Sequence, residues 1–390
     1  MFLTATNLFA YLNDLGLASP ADIVGEDFRV IEVGRRNRNF LVRRSRQPGL
    51  FIKQVPMFHL ETISSFIREA ACMRMVKDAR RKPVMHALCP QMLFYDETRH
   101  VLIYELFTQG EALTSLIARD PEALHAVLHQ VAVSIAAVHQ ETSSNGSLSE
   151  IGPGFTGAPP WVLSIGENAE SVLPNMSHAQ RQIVDLIRRS KALRHGLFTL
   201  HKEWRHRCLV HGDLKWDNIM LLRHDDAREL RLIDWELADV GEPLWDLAQL
   251  VGSVLQYWVL NVPANRIDEH FSQPLGQSSL KLGSLAPVFD DLLCTYFENT
   301  QGLHPAGNVS LELTLRLVGA RLVLLAFKLH PKGDSIGGHA KLALRLAEYF
   351  LLDPVGAGRD LLGISATVEA KPEATMPVPQ RARPQWEVRA

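Results

Sequence analysis

The 390-residue chain has little cysteine: Cys72, Cys89, Cys208 and Cys294 lie far apart and form no CxxC pair. That spacing argues against a secreted disulfide framework and against a zinc ribbon, and it fits free thiols in a reducing compartment. Long apolar runs are missing too. The stretch from Leu317 to Phe327 is interrupted by Arg321 and is too short to span a bilayer. The N-terminus, MFLTATNLFAYLNDLG, has no basic n-region and no A-x-A cleavage site. It reads as an amphipathic helix rather than a signal peptide. Excess charge of one sign is also lacking: Lys and Arg total 41, Asp and Glu 43, and the formal net charge is -2. Such a balance makes no field that would gather nucleic acid or an anionic membrane. Short basic clusters, at Arg35, Arg36 and Arg38 and at Arg80, Arg81 and Lys82, read as solvated surface. The expectation is a soluble, cytoplasmic protein with neither nucleic-acid nor membrane partners.

What is present is a 46% hydrophobic chain, long enough for two domains or one large two-lobed unit. Leu8, Phe9, Leu12 and Leu15 recur at helical spacing and predict a helix over about Thr6 to Leu15. The period then changes to two. Phe28–Val33, Asn39–Arg44 and Leu50–Val55 are strand candidates, separated by Gly34 and by Gln47-Pro48-Gly49. A helix over Glu61 to about Lys77 follows, then strands Gln91–Tyr95 and Val101–Leu106. This predicts a small antiparallel sheet with one helix packed on it. Beyond Leu106 the pattern is helical: Glu122–Gln140, His178–Leu193, Leu244–Val259, Ala286–Glu298, Leu311–Leu329 and Ala340–Leu352. Ile151–Asn175, with Gly, Pro and Trp161, reads as a long loop or insertion. From about Ala370 the chain is rich in Pro and charge and reads as a disordered tail. The domain expectation is therefore an N-lobe over 1–107, a helical C-lobe over 108–369 and a tail over 370–390.

Two segments carry the chemistry. One is Leu209-Val210-His211-Gly212-Asp213-Leu214-Lys215-Trp216-Asp217-Asn218, followed by the apolar strand Ile219–Leu222. The other is the strand Leu230-Arg231-Leu232-Ile233 ending in Asp234-Trp235-Glu236. Phosphoryl transfer needs such parts. A carboxylate orients the acceptor hydroxyl and takes its proton. An amide oxygen and a second carboxylate hold magnesium on the phosphates, where charge accumulates in the transition state. A short hairpin through His224-Asp225-Asp226-Ala227 would bring Asn218 and Asp234 to one end. Taken singly, Asp213 also suits an Asx turn after glycine, Asn218 a strand-entry cap and Asp234 a strand-end turn. Their joint order is what points to chemistry.

These segments resemble the aminoglycoside phosphotransferase and choline kinase-like family, distant relatives of protein kinases, over about Phe28 to Leu250. The resemblance implies an α+β, two-lobed protein-kinase-like fold with an antiparallel-sheet N-lobe and a mainly helical C-lobe. It also implies an ATP-dependent phosphotransferase acting on a hydroxyl of a small molecule with Mg²⁺. Carried over by position, Asp213 looks like the catalytic base, and Asn218 and Asp234 like the magnesium ligands. Gly241-Glu242-Pro243-Leu244-Trp245-Asp246 is similar to the family's G-x-P-x-x-D continuation, with Asp246 bracing the catalytic loop. Lys53 would contact the α/β-phosphates and Glu69 would pair with it, Glu61 being the other glutamate of that helix. Lys215 would reach the γ-phosphate. Backbone near Glu105, Leu106 and Phe107 would hold adenine.

No G-x-G-x-x-G loop lies between the first strands. The segment from Gly34 to Val42 holds one glycine, three arginines and Asn37 and Asn39. This departs from protein kinases, as does the lack of an A-P-E segment after Asp234. His125 and His129 form an HxxxH pair without a third ligand in sight, and zinc is not expected. Acidic and aromatic candidates for the acceptor site, Glu236, Asp239, Glu242 and Trp161, would suit a cationic acceptor such as an amino sugar or choline. Trp235, Trp245 and Trp258 read as core. The rival readings are a protein or peptide kinase and a catalytically silent nucleotide-binding scaffold.

Overall fold

The computed structural model describes residues 2–24, 28–34, 37–44, 47–55, 60–107, 109–117, 119–143, 154–224, 227–263, 267, 282–304, 307–329 and 334–365. Arg35 and Arg36, the turn at Asp225 and Asp226, and the expected tail over 370–390 lie outside these residues.

The chain begins with α1 (Leu8–Asp14) and α2 (Pro20–Val24), then lays down β1 (Arg29–Glu32), β2 (Arg38–Arg43) and β3 (Leu50–Gln54). Next come α3 (Leu60–Met75), α4 (Pro83–Leu88), β4 (Met92–Asp96) and β5 (Val101–Glu105). The strands form one antiparallel sheet in the order β1-β2-β3-β5-β4. Side chains alternate across a strand, so each strand has two different tasks. Leu50, Ile52, Val101 and Ile103 face α1 and pack with Leu8, Leu12, Phe40 and Val42 in a small separate core. Leu102 and Tyr104 face the other way and join the larger core with Phe66 and Ala70 of α3, where Phe51 packs on it. Lys53 shares the parity of Phe51, so the alternation turns it to that second face. Across the ladder it sits opposite Asn39 of β2 and Leu102 of β5.

The remainder is mainly helical. It holds β6 (Gly110–Ala112), α5 (Thr114–Ile117), α6 (Pro121–Glu141), α7 (Ile165–Val172), α8 (His178–Arg189) and α9 (Lys191–Glu203). Then follow β7 (Cys208–Val210), β8 (Ile219–His224), β9 (Ala227–Leu232), β10 (Asp239–Gly241), α10 (Leu244–Asn261), α11 (Ala286–Asn299), α12 (Asn308–Leu329) and α13 (Gly338–Leu352). Two expectations need correction. The helix expected over His178–Leu193 is two helices. Ser190 leaves the helical region and its hydroxyl accepts from Leu193 N–H, which starts α9 afresh. The loop expected over Ile151–Asn175 contains a short 3₁₀ turn at Trp161–Ser164 and then α7, whose Ile165 and Ala169 are buried. Glycine and proline hid the apolar spacing there.

Trp235, Trp245 and Trp258 are each under 2% exposed and fill the centre of the helical part. No helix among the described residues is long and apolar enough to cross a membrane.

Candidate active site

The segment after β7 is held from beneath. Asp246, in the first turn of α10, accepts from His211 N–H at 2.7 Å and Gly212 N–H at 2.9 Å. His139 of α6 lies 3.2 Å from the same carboxylate and 2.7 Å from the Tyr296 hydroxyl. Trp245 and Gln249 donate to the Gly212 carbonyl. Gly212 has φ +79°, and a Cβ there would lie 2.2 Å from the Leu237 carbonyl oxygen. Only glycine fits this bend. His211 Nε2 lies 2.9 Å from the Ile233 carbonyl, and its Nδ1 faces Asp213 N–H at 3.4 Å. The histidine thus ties the two chemistry-bearing segments together rather than facing a substrate.

Asp213 emerges from this bend. Lys215 Nζ lies 2.6 Å from its Oδ2 and Lys328 Nζ 3.3 Å from its Oδ1. Burial works against the charge, but Lys328 and Lys215 overcome it and lower the Asp213 carboxyl to about 2. Asn218 donates its amide N–H to the Asp213 carbonyl at 2.8 Å, which leaves its oxygen as the free end. The β8–β9 hairpin pairs Ile219 with Leu232, and Ile233 N–H bonds the Asn218 carbonyl. Asn218 and Asp234 therefore leave the hairpin at one end. Asp234 adopts a left-handed conformation, φ +67°, which aspartate tolerates better than most side chains.

Lys53 reaches across from the sheet. Its Nζ lies 2.5 Å from Asp234, 2.7 Å from Glu69 and 3.4 Å from Glu236. Burial opposes its charge, yet the carboxylates of Glu69, Asp234 and Glu236 keep it protonated above the ordinary lysine range. Tyr104 donates to the other oxygen of Glu69 at 2.8 Å. Oxygens of Glu69, Asp234 and Glu236 lie within 4.8 Å of one another, a grouping that could hold a metal ion. The ammonium of Lys53 occupies its centre, so the cluster already gathers a cation, and its hard oxygen donors suit Mg²⁺.

One cavity of about 1080 Å³ joins these groups. Lys53, Glu69, Glu105, Leu106, Phe107, Asp213, Lys215, Asn218 and Asp234 all line it, as do Asn37 and Asn39 of the expected phosphate loop. Glu61's side chain lies outside the described residues. Sequence reading passed over Tyr104 and Lys328. Strand parity marks Tyr104, whereas nothing local marks Lys328, which arrives from α12. Among the acceptor candidates, Trp161 and Glu236 line the cavity. Asp239 and Glu242 do not. Asp239 is buried and accepts from Thr156 and Gly157 N–H, and Glu242 is buried 3.5 Å from Arg207. His125 and His129 lie beside Asp291, a neighbour the sequence did not suggest, at 3.2 and 3.0 Å.

Comparison with known proteins gives three findings. A model of the phosphotransferase enzyme family matches residues 27–278. The chain is similar to acyl-CoA dehydrogenase family member 11 of Mus musculus, 34% identical over 98 residues, which is 25% of this chain and 11% of that protein. The Rattus norvegicus counterpart is 33% identical over 98 residues, and the chain again spans 11% of it. In structure the chain is similar to choline kinase LicA from Streptococcus pneumoniae (TM-score 0.52, 14% identity, 89% of this chain and 98% of that one). It is equally similar to a choline/ethanolamine kinase family protein from Mesorhizobium loti (0.52, 15%, 90% and 98%). An amicoumacin kinase in complex with AMP-PNP, Ca²⁺ and Ami gives 0.52, 12%, 89% and 93%. At such identities the likeness is one of fold: α+β, two-lobed and protein-kinase-like.

Proposed function

The chain belongs to the phosphotransferase enzyme family, and from that premise we propose that it transfers the γ-phosphoryl group of ATP to a hydroxyl of a small molecule. The observation that carries this reading is the convergence of Lys53, Asp213, Lys215, Asn218 and Asp234 on one cavity between sheet and helices. The similar solved structures are small-molecule kinases, one of them holding a nucleotide analogue. Only the turn Trp235–Leu237 and β10 separate Asp234 from Glu242, which leaves little chain for a peptide-docking segment.

In this reading Lys53, fixed by Glu69, holds the α/β-phosphates, and backbone near Glu105, Leu106 and Phe107 holds the adenine. Asp213 receives the acceptor's hydroxyl proton as the acceptor oxygen bonds the γ-phosphorus. The bond from that phosphorus to the β–γ bridging oxygen breaks, and ADP leaves. Transfer is in line, without a covalent enzyme intermediate. Lys215 moves from Asp213 toward the γ-phosphoryl oxygens, where negative charge gathers. Asn218 and Asp234 would hold Mg²⁺, which supplies neutralisation of phosphate charge when bound.

The test is transfer of label from γ-labelled ATP with Mg²⁺ into a fractionated cell extract, wild type beside Asp213→Asn. Label in a small-molecule fraction, reduced at least about a thousandfold by the substitution, is the expected result. Label in protein would replace the small-molecule reading with a peptide kinase. Near-normal turnover by Asp213→Asn would remove the base from Asp213.

A further inference from the structure

The helical wall of the cavity is largely apolar, built from Trp161, Leu173, Leu237, Leu324 and Phe327 with the uncharged Gln180 of α8. Its charged group on α12 is Lys328, in the last turn of that helix, with its side chain 44% exposed. The three carboxylates expected at the acceptor site are engaged elsewhere. Asp239 and Glu242 are buried outside the cavity, and Glu236 lies 3.4 Å from Lys53. The wall is thus greasy with a cation at its rim, which is poorly matched to an amino sugar or to choline.

Asp213 makes the same point from the chemical side. Both of its oxygens are occupied by ammonium groups, Lys215 on Oδ2 and Lys328 on Oδ1. An incoming hydroxyl would meet an ammonium group already at each oxygen. Room for the acceptor beside Asp213 is made most simply by moving one of these cations. Lys215 sits two residues away on the same loop and is suited to the γ-phosphoryl group. Lys328 sits on a separate helix, exposed toward the cavity, with a long flexible side chain.

We propose that the acceptor is an apolar hydroxyl compound carrying an anionic group, and that Lys328 is the residue that binds this group. The assignment rests on the phosphotransferase reading. Binding of the anion draws Lys328 away from Asp213. That frees Oδ1 for the acceptor's hydroxyl proton. An acceptor without negative charge leaves Lys328 on Asp213. Lys328 therefore selects the substrate and releases the base in one movement.

The experiment is a binding titration with Mg²⁺ and a non-hydrolysable ATP analogue present. The probes are a medium-chain ω-hydroxy carboxylate, the phosphate monoester, diol and amino alcohol of the same length. The wild type is expected to bind an anionic probe about tenfold or more tightly than the amino alcohol, the range of one charge-assisted hydrogen bond. Whichever of carboxylate and phosphate binds better identifies the natural group. Lys328→Ala is expected to erase the preference and Lys328→Arg to keep most of it. Lys328→Glu should reverse it toward the amino alcohol. Equal or tighter binding of the amino alcohol by wild type, no binding of either anion, or a preference that survives Lys328→Ala overturns the assignment. Affinity for the ATP analogue, read in the same samples, separates the two levels. Normal nucleotide binding without anion preference removes Lys328 alone, whereas absence of nucleotide binding by wild type removes the phosphotransferase reading.

Discussion

At the scale of the residue, Glu242 shows how burial without full compensation becomes a pH-dependent cost. Arg207 lies 3.5 Å away, and one carboxylate oxygen has no hydrogen-bond partner among the described residues. Burial pushes this carboxyl up to about 7. A raised carboxyl binds its proton more tightly folded than unfolded. The native state is therefore penalised as pH rises from the ordinary carboxylate range through 7, and the penalty is complete above it. Glu242→Gln is expected to be nearly neutral at pH 5 and to stabilise at pH 8 by about 1 to 3 kcal/mol. Thermal melts at the two pH values decide this. Equal shifts at both would mean that Glu242 titrates ordinarily and that Arg207 has compensated its burial. Asp213 shows the opposite sign: its carboxyl is held at about 2, so its contribution is present at neutral pH and disappears only as pH falls from about 4 through 2.

At the scale of the element, the His211–Asp213 segment is a bend that α10 holds by its first turn. Its geometry depends on Asp246 beneath and on Gly212 at the corner. Gly212→Ala would add a Cβ at 2.2 Å from the Leu237 carbonyl oxygen, in a conformation that L side chains rarely adopt. Gly302 offers a control: it has φ +87°, but a Cβ there would meet nothing within 4 Å. Gly302→Ala is expected to cost about 1 kcal/mol, the left-handed penalty alone. Gly212→Ala is expected to cost at least about 2 kcal/mol more and to abolish label transfer, since the 3₁₀ turn at Leu237 must also move. Denaturant midpoints measure both. Matching costs at the two positions would show that the loop is not wedged against Leu237.

At the scale of the whole molecule, the cavity is bridged by a contact between the sheet and the helical part. Lys53 of β3 meets Asp234 beyond β9, so a lysine and a proposed metal ligand neutralise each other across the cleft. A nucleotide with magnesium would divide that pair, Lys53 turning to phosphate and Asp234 to metal. Anything that binds the native state alone stabilises it by mass action, about 2.7 kcal/mol at about 100 times Kd. MgATP is therefore expected to raise the thermal midpoint more than ATP with chelator, and Lys53→Ala to remove most of the rise. Calorimetry in the three conditions is the measurement. An equal rise with and without magnesium would remove Asn218 and Asp234 as metal ligands.

Local order along the chain was enough to determine several things. Alternation gave the five strands of the sheet, and it placed Lys53 on a strand among apolar neighbours. The spacing of Asp213, Asn218 and Asp234 around a short hairpin put them at one end, because a two-stranded turn admits few other arrangements. The break at Ser190 and the helix at Ile165–Val172 were less legible, since a serine inside an apolar period and glycine near a helix start send mixed local signals. Tertiary structure alone decided the electrostatics of the site. Tyr104 on Glu69, and Lys328 on Asp213 from 115 residues away, carry no local signature of their partners. Likewise Glu242 and Asp239 sit in the sequence close after Asp234, yet the fold turns both into buried structural carboxylates. Which charges meet depends on how distant helices pack, and pairwise spacing in the chain cannot encode that.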